Sequence, residues 1–306
     1  MTARDHVWLF WEWDEDCYLA DDLLSRAAAR HIRAKTFPIE AIRSLSRDAL
    51  VANPPIILWD RAGDAYDEAR HLADWAEALG SRVINPVRGM LLAKNKGILH
   101  RLLLQRDLPV PHTQFLNDAS ALEEFHASNG KYLVLKPVRS GGGEGVRMQQ
   151  WCEGCLREAM QSRPGETWLL QEYIEAATMA GRRAWFRVFY LFGDVRICWW
   201  DNRTHIYDFM PCAEVNRLGF HDLCMLGIRI GATLPMQFFS TEIAYREDGK
   251  PVIVDYINDP CDLRCKTRIP NGVPPELLDW IFGRLFDLAL ALTPQSGSFP
   301  APATNV

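Results

Sequence analysis

Short apolar runs alternate with stretches of helical periodicity along the first ninety residues. Apolar runs predict strands at residues 6–11, 55–59 and 82–84, and amphipathic spacing predicts helices at residues 18–32 and 64–79. Gly80 stands where a helix often ends in the left-handed conformation. Strands that alternate with helices indicate a small parallel sheet. The GxGxxG fingerprint of nicotinamide enzymes is absent from it, so that class has no support.

The pattern changes after Asn85 and Pro86, which we take as the first domain boundary. Residues 131–148 predict a strand, a glycine-rich turn and a second strand. Two hairpin signals follow, Gly193-Asp194 and Asp248-Gly249, and they indicate antiparallel sheets. The other predicted elements are helices at residues 90–105, 119–128, 215–234 and 274–292, and strands at residues 112–116, 168–173, 184–192, 195–200, 238–245 and 251–257.

Composition places the chain among ordinary globular proteins. Hydrophobic residues make up 48% of the 306 residues and charged residues 24%, unlike disordered or fibrous sequences. The net charge of −5 and the pI of about 5.9 argue against a nucleic-acid backbone as the main partner. No apolar run approaches the roughly 20 residues that cross a bilayer, and no signal-peptide cleavage site follows the first apolar run. We therefore expect a cytoplasmic location, with no membrane or nucleic-acid partner.

Eight cysteines are present, and Cys152 and Cys155 form a CxxC motif. A zinc site would need a second pair at ligand spacing, but Cys261 and Cys265 form CxxxC and lie far away in the sequence. We expect reduced cysteines with structural roles. The sequence leaves metal binding and redox chemistry at the CxxC open.

Lys136 ends an apolar strand and is followed by the glycine-rich segment SGGGEG at residues 140–145. Glycines let backbone N–H groups approach an anion closely, and a lysine beside them supplies positive charge for phosphate. The order of a Walker loop, GxxxxGK[ST], is missing, so the flanking strands favour a hairpin flap over phosphates. The alternative is a flexible hairpin turn beside a surface lysine.

Lysine is rare in this chain, because only seven of the 34 basic residues are Lys. The chain therefore uses arginine wherever it needs only charge, and each lysine gains weight as a candidate. Lys96 follows Asn95 near the start of a helix. Its alternative role is that of an exposed helical lysine.

The order of these features is more informative than any one of them. Residues 94–116 contain the lysine, a helix and the segment LPVP, and they are followed by LVLKP, the glycine segment and LLQEYIE. Arg187 lies in AWFRVF, Glu242 in FSTEIA, and Asp255 and Asn258 in VIVDYIND. Over residues 85–290 this succession resembles the ATP-grasp superfamily, which includes D-alanine–D-alanine ligase, glutathione synthetase and peptide-tagging glutamate ligases.

The resemblance implies an ATP-grasp fold of the α/β and α+β classes. Two α+β lobes would clasp ATP, and a small parallel α/β domain would precede them. The expected boundaries are 1–88 for the first domain, 89–174 for the N-terminal lobe with the glycine-rich loop, 175–293 for the C-terminal lobe with the metal site, and 294–306 for a flexible tail.

The resemblance also implies an ATP site. Lys96 and Lys136 match two lysines that contact ATP phosphates. The phosphate-covering loop matches Gly141, Gly142, Gly143 and Gly145. The hinge between the lobes, whose backbone would bind the adenine, matches Gln171, Glu172, Tyr173 and Ile174, and Glu175 by position would hold the ribose hydroxyls. A plain strand end is the alternative for the hinge.

The implied magnesium ligands are Glu242, Asp255 and Asn258. The first two lie on the two arms of one predicted hairpin, and Mg²⁺ prefers oxygen ligands. The family usually has Glu-x-Asn on the second strand, whereas this chain has a shorter acid and one extra residue, Asp255-Tyr256-Ile257-Asn258. On a regular strand residues 255 and 258 would point to opposite faces, and a β-bulge would bring them together. Without a bulge, Asp255 alone, or Asn258 with Asp259, would be the ligand.

Further basic and aromatic residues are candidates for the reacting groups. Arg187 matches the family's arginine near the transferred phosphate, and its alternative is a surface arginine on an alternating strand. Arg264 would hold a substrate carboxylate or the acyl phosphate, or it would form a salt bridge with Asp262. The substrate wall would include Trp11, Trp13 and Arg61 after the first two strands and Arg203 after a later one. Tryptophans among acids suit an aromatic or cationic partner such as an amine, and packing between domains is their alternative.

These features predict an ATP- and Mg²⁺-dependent ligase. It would join a carboxylate, expected to be that of an amino acid or peptide, to an amine through an acyl phosphate, and it would release ADP and phosphate. Two alternatives stay open: a small-molecule kinase of the same fold and a non-catalytic ATP-binding regulatory protein. The resemblance is also compatible with a homodimer.

Overall fold

The computed structural model of the chain describes residues 4–117, 132–141 and 143–293. The predicted helix at residues 119–128, Gly142 and the predicted tail at residues 294–306 lie outside the described residues. No helix among the described residues is both long enough and apolar enough to span a membrane.

The first sheet has four parallel strands in the order β2-β1-β3-β4. This confirms the predicted small parallel sheet. β2 and the two short helices after it were not predicted, because Ala34–Pro38 is an edge strand with a lysine, a threonine and a proline in place of an apolar run. The elements are β1 (Val7–Trp11), α1 (Cys17–Ala29), β2 (Ala34–Pro38), α2 (Ile39–Ser44), α3 (Arg47–Ala52), β3 (Ile57–Asp60), α4 (Asp67–Ala78) and β4 (Arg82–Ile84).

A helical segment connects this sheet to the next one. The sequence predicted one helix at residues 90–105, but two form, α5 (Val87–Ala93) and α6 (Lys96–Leu104). The break falls at Asn95, whose backbone is extended and whose side-chain oxygen accepts the backbone N–H of Ile98 at 2.9 Å. An asparagine in this position caps the new helix, so Lys96 stands at its first residue.

The second sheet is antiparallel, with four strands in the order β5-β8-β6-β7. The strand–glycine turn–strand prediction is confirmed, because β6 and β7 pair on either side of the glycine-rich segment. Trp151 and Trp168 fill the core of this lobe. Its elements are β5 (Thr113–Leu116), β6 (Tyr132–Pro137), β7 (Arg147–Gln150), α7 (Glu153–Gln161) and β8 (Trp168–Glu172).

The third sheet has five antiparallel strands in the order β13-β12-β11-β14-β15. Both predicted hairpins are present, and Gly193 and Gly249 turn the chain with positive φ. The predicted helix at residues 215–234 is two helices, because Gly219 ends the first with a φ of 74°. Before the five-stranded sheet, β9 (Thr178–Met179) and β10 (Arg182–Arg183) pair as a separate two-stranded antiparallel sheet. The remaining elements are β11 (Trp185–Leu191), β12 (Asp194–Trp200), β13 (Tyr207–Met210), α8 (Cys212–Leu218), α9 (His221–Thr233), β14 (Phe238–Tyr245), β15 (Pro251–Asn258) and α10 (Pro275–Ala291).

The five-stranded sheet packs on both faces. On one face a single apolar core joins it to α10 and to the first domain, where Trp59 meets Phe238 and Phe282 edge to face. On the other face α6 and α9 cover it. Asn85 joins the first domain to β14, because its side-chain oxygen accepts the backbone N–H of Phe238 at 2.9 Å. The first domain is therefore held close to the β14–β15 hairpin.

Candidate functional site

Two acids face each other across the β14–β15 hairpin. Glu242 and Asp255 are direct partners in the register, which shifts on both sides of that pair. On the β15 side Ser240 is paired with Asn258, so one extra residue separates Asp255 from Asn258. This is the β-bulge that the departure from Glu-x-Asn required, and Nδ2 of Asn258 donates to Oδ2 of Asp255 at 3.0 Å. The structure therefore brings all three predicted metal ligands together.

Arg187 lies opposite Glu242 on β11, and its Nη1 is 3.2 Å from Oε1 of Glu242. Both side chains are nearly buried. The guanidinium lies over the ring of Trp200 at 4.5 Å, and Nε1 of Trp185 donates to Oε2 of Glu242 at 3.3 Å. Arg187 is thus a buried cation held by one acid and one aromatic ring, not the surface arginine of the alternative prediction.

Charge and burial oppose each other at this pair. Burial alone would lower the pKa of Arg187, but the carboxylates of Glu242 and Asp255 outweigh it and raise the pKa. Burial, aided by the charge of Asp255, raises the pKa of Glu242 although Arg187 and Lys136 act in the other direction. The carboxylate of Asp255 therefore lies close enough to disfavour the ionisation of Glu242.

The two predicted lysines approach the same hairpin from the second sheet and from α6. Lys136 is buried, and its Nζ donates to the backbone oxygen of Val254 at 2.9 Å, next to Asp255. Nζ of Lys96 donates to the backbone oxygen of Ser140 and lies 3.3 Å from Oγ of the same serine. Burial lowers the pKa of Lys96, and Asp255 acts against that shift. Both lysines thus place positive charge beside the acids of the other lobe.

The glycine-rich segment forms two successive turns. The backbone N–H of Glu144 donates to the oxygen of Gly141 at 2.9 Å, and that of Val146 donates to the oxygen of Gly143 at 3.1 Å. Gly143 and Gly145 have positive φ, a conformation that favours glycine. The carboxylate of Glu144 is turned towards Arg163 and pairs with it, so its charge is compensated. The segment meets Lys96 through Ser140.

Hydrogen bonds from Gln171 and Glu172 to residues of other elements hold the predicted hinge in place. Nε2 of the buried Gln171 donates to Oη of Tyr256 at 2.7 Å, and Oη lies 2.6 Å from Nδ1 of His100. Oε1 of Glu172 accepts the backbone N–H of His112 at 2.7 Å, and Oε2 accepts Nη1 of Arg246 at 3.1 Å. Although burial alone would raise it, these two contacts keep the pKa of Glu172 below its usual value.

The remaining hinge residues differ in exposure. Tyr173 meets Tyr132 edge to face, with ring centroids 4.9 Å apart. Ile174 is buried. Glu175 is exposed, and its Oε1 lies 3.8 Å from Nη2 of Arg183. Glu175 is therefore accessible to a ligand, whereas the side chain of Ile174 is part of the core.

Most basic residues predicted for the substrate are already paired within the protein. Arg61 is buried and holds Asp16 with two hydrogen bonds of 3.0 and 2.9 Å, while its Nη1 donates to the backbone oxygen of Cys261 at 3.0 Å. Arg264 forms the salt bridge with Asp262 that the sequence left open, at 2.6 Å. Arg203 lies exposed in the turn between β12 and β13. A substrate role for these three stays a prediction.

Acidic side chains gather at the carboxyl ends of β1 and β3. Burial raises the pKa of Asp60 to about 6, and burial and the charge of Asp64 raise that of Glu12. Trp11 is half-buried and its indole nitrogen has no hydrogen-bond partner among the described residues, whereas Trp13 is exposed. Asp60 stands beside Arg61 in the loop predicted for the substrate wall, whereas the sequence did not predict a contribution of Asp64.

The sequence also missed several residues that hold the site in place. Trp185, Tyr256, His100 and Arg246 position the predicted side chains through the contacts above. The sequence contains no motif that marks them, since each partner comes from another strand or helix.

The donor set suits a hard divalent cation. Glu242, Asp255 and Asn258 offer carboxylate and amide oxygens, and a cation between the two acids would offset the repulsion that raises the pKa of Glu242. No group of three or more His, Cys, Asp and Glu side chains within the described ranges could hold a metal ion. This set would therefore need oxygens from a bound phosphate to complete its coordination, as is usual for Mg²⁺.

No family model matches the sequence, and no curated protein matches it at the significance required. Among solved structures, the chain is similar to a RimK-domain ATP-grasp protein from Sphaerobacter thermophilus DSM 20745, with 23% identity, 93% of this chain and 99% of that chain covered, and a TM-score of 0.63. It is also similar to the ATP-grasp ligase PsnB complexed with precursor peptide PsnA2 and AMPPNP (16% identity, 96% and 99% covered, TM-score 0.67). A third similar structure is D-alanine–D-alanine ligase from Bacillus anthracis complexed with ATP (11% identity, 95% and 97% covered, TM-score 0.63).

The parallel sheet and the antiparallel sheets that follow it define a protein of mixed α/β class. The similarity to these structures over most of both chains identifies the architecture further. The chain has the ATP-grasp fold, and the resemblance drawn from the sequence is confirmed at the level of the fold.

Proposed function

We propose that this chain is an ATP- and Mg²⁺-dependent ligase that joins a carboxylate to an amine through an acyl phosphate. One observation carries the proposal. Nζ of Lys136 donates to the backbone oxygen of Val254 on β15, and the positive charges of Lys136 and Lys96 lie near enough to interact electrostatically with Glu242 and Asp255, respectively. A triphosphate and a divalent cation together need this combination of paired lysines and paired acids.

In the proposed site the lysines bind ATP phosphates and the glycine-rich segment covers them. The backbone of residues 171–174 binds the adenine, and the exposed Glu175 binds the ribose hydroxyls. The similar D-alanine–D-alanine ligase is complexed with ATP, and PsnB is complexed with AMPPNP, which supports a nucleotide here. Glu172 is expected to contribute through its backbone, because its carboxylate already holds Arg246.

Glu242, Asp255 and Asn258 are the proposed Mg²⁺ ligands. When bound, the ion supplies charge neutralisation at the phosphate oxygens. Another PsnB structure is described with Mg and ADP, which supports the same ion here. Arg187, fixed by Glu242 and by the ring of Trp200, keeps its charge at any pH of interest and would stabilise the transferred phosphate.

The proposed reaction has two steps. A carboxylate oxygen forms a bond to the γ-phosphorus of ATP, the bond to the leaving oxygen breaks, and ADP departs. An amine then attacks the acyl carbon, expels phosphate and loses a proton. The protein's side chains position the reacting groups and neutralise the phosphate charges, since phosphoryl transfer requires little covalent help. Closure of the glycine-rich segment would exclude water from the acyl phosphate.

The acidic side chains that a substrate could contact lie at the carboxyl ends of β1 and β3. We propose that Trp11 and Trp13, with the acids beside them, form the wall for the amine, because aromatic rings and carboxylates favour a cation. PsnB is described with a precursor peptide and DcsG as a D-cycloserine synthetase, so the fold serves both peptides and small molecules. An amino acid or a peptide is therefore the proposed carboxylate substrate.

The test begins with calorimetry of ATP binding to the full chain, with and without Mg²⁺. The protein is then incubated with ATP, Mg²⁺ and a panel of amino acids and peptides, with hydroxylamine as the amine. Formation of a hydroxamate together with ADP supports the acyl phosphate. A stable phosphorylated product would instead identify a kinase. Binding without turnover across the panel would favour a non-catalytic ATP-binding protein.

A further inference from the structure

The CxxC motif stands at the start of α7, on the lobe that carries the glycine-rich segment. The sulfur atoms of Cys152 and Cys155 are 2.6 Å apart, in direct contact. Cys152 is the N-cap residue of the helix, and its sulfur accepts the backbone N–H of Cys155 at 3.3 Å. Cys152 is exposed and Cys155 is half-buried. Two thiols therefore meet at a place that small reagents can reach.

The two thiols have unequal surroundings. The thiol of Cys155 and backbone N–H groups lower the pKa of Cys152, whereas hydrogen bonding to Cys152 raises the pKa of Cys155. Glu153, the acid in the first turn, is paired with Arg157 at 2.8 Å, which offsets its negative charge. The N-terminus of a nine-residue helix adds a positive potential. The geometry thus makes Cys152 the nucleophile and Cys155 the second thiol of a pair.

No other pair of cysteines within the described ranges has its sulfur atoms in contact. Cys198 and Cys261 are buried, and burial raises the pKa of the Cys198 thiol and raises that of Cys261 to about 12. The same part of the chain offers no cluster of three or more His, Cys, Asp and Glu side chains for a metal ion. A pair of touching thiols with no further ligand favours redox chemistry over a zinc site.

We propose that Cys152 and Cys155 form a reversible dithiol–disulfide site that exchanges with small-molecule disulfides. The Cys152 thiolate attacks one sulfur of the disulfide, forms a mixed disulfide and releases one thiolate. Cys155 then loses its proton to solvent, attacks the sulfur of Cys152 and releases the second thiol. The protein gains one disulfide and loses two hydrogens, and the reagent becomes two thiols, so atoms and electrons balance.

The flanking residues hold the motif in both redox states. Trp151 is buried and its Nε1 donates to the backbone oxygen of Leu133 at 3.1 Å. On the other side Leu156 is fully buried in the core of the lobe. The bond would therefore form between two anchored points, without a change in the fold. Serine variants should fold as well, because Cys152 is exposed and Cys155 lies only at the border of the apolar core.

The experiment uses the full chain, reduced and then exposed to glutathione disulfide, with intact-mass and peptide mass spectrometry. We expect a loss of about 2 Da that maps to Cys152 and Cys155 and is reversed by dithiothreitol. In Cys155→Ser a glutathione adduct should remain on Cys152. In Cys152→Ser the adduct on Cys155 should form about tenfold more slowly. Cys212→Ser, at another exposed cysteine, is the matched control and should behave like the parent protein.

Three results would overturn the proposal. The first is a stable glutathione adduct on Cys152 of the parent protein, with no internal disulfide. The second is persistence of the 2 Da loss in Cys152→Ser, which would place the bond at other cysteines. The third is equal rates of adduct formation in the two single variants. Thermal unfolding of each serine variant checks that the thiols, and not the fold, account for the result.

Discussion

Gln171 and Tyr256 are joined by a hydrogen bond of 2.7 Å between Nε2 of the glutamine and Oη of the tyrosine. The first residue lies on β8, in the predicted hinge, and the second lies on β15 between two predicted metal ligands. Oη of Tyr256 also meets Nδ1 of His100 on α6 at 2.6 Å. Since burial lowers the pKa of His100 to about 4, the ring is neutral at physiological pH.

Tyr256→Phe should lower the free energy of unfolding by about 1 to 3 kcal/mol, because it leaves the buried Nδ1 of His100 without its hydrogen-bond partner. Urea unfolding measures the loss. Tyr132→Phe is the control, since its hydroxyl is exposed and makes only a 3.4 Å contact with the backbone oxygen of Met148. We expect the control to change stability by less than about 0.5 kcal/mol. Equal effects of both substitutions would contradict a buried network.

Lys136→Ala should weaken ATP binding by at least about tenfold, because a buried, charge-assisted contact to phosphate is lost. Calorimetry with ATP and Mg²⁺ measures the change. The exposed Lys250 in the β14–β15 turn provides the control variant Lys250→Ala, which changes the net charge equally but lies outside the site. Thermal unfolding establishes that both variants fold. If the folded Lys136→Ala variant bound ATP with unchanged affinity, Lys136 would not be a phosphate-binding residue.

The sequence could predict the parts of this architecture that local patterns specify. The hairpin turns at Gly193 and Gly249 and the cap at Gly80 were found because positive φ at glycine is a local property. The edge strands β2 and β13 were missed because they carry polar residues within a short strand, and only pairing with a neighbour makes them strands. The split at Asn95 was missed because its cap interrupts an otherwise continuous apolar periodicity.

In the candidate site, too, local sequence patterns point to some residues, whereas other features depend on pairing between distant parts of the chain. The residue types and their order were enough to suggest Lys96 and Lys136 as candidate phosphate-binding residues and Glu242 as a candidate metal ligand. Whether Asp255 and Asn258 share a face depended on a β-bulge, which is a property of the pairing with β14. The partners of Arg61 and Glu172 come from distant positions in the chain, Asp16 and Arg246, so no spacing rule could reveal them.

Glu242→Gln should lower the Mg²⁺-dependent rate of ADP formation by about a hundredfold, because it removes a charged oxygen ligand. Nucleotide affinity without metal should change much less, since the lysines stay in place. The two quantities are measured by coupled ADP assay and by calorimetry in EDTA. Glu247→Gln, at an exposed position in the β14–β15 turn, is the control. Equal losses in rate and in metal-free affinity would count against metal ligation.

Arg61→Leu should lower the free energy of unfolding by about 3 to 5 kcal/mol, because it leaves the buried carboxylate of Asp16 unpaired. Adding Asp16→Leu should restore part of that loss, since the unpaired charge is removed as well. Urea unfolding of the two single variants and the double variant gives the coupling energy. Arg203→Leu, in an exposed turn, serves as control. If Arg61→Leu were as stable as the parent protein, the ion pair with Asp16 would not be structural, and the predicted substrate role of Arg61 would be favoured.

Asp60→Asn should stabilise the protein at pH 8 but not at pH 4. Burial raises the pKa of Asp60 from 3.8 to about 6, so the folded state binds the proton more tightly than the unfolded state. The folded state therefore loses stability relative to the unfolded state as the pH rises from 3.8 through 6 and Asp60 becomes ionised. Asparagine has no charge at any of these pH values, so the Asp60→Asn variant does not lose this stability. The expected gain at pH 8 is about 1 to 3 kcal/mol by urea unfolding. Asp74→Asn, on the exposed face of α4, is the control variant. An equal gain for Asp60→Asn at both pH values would contradict the assignment.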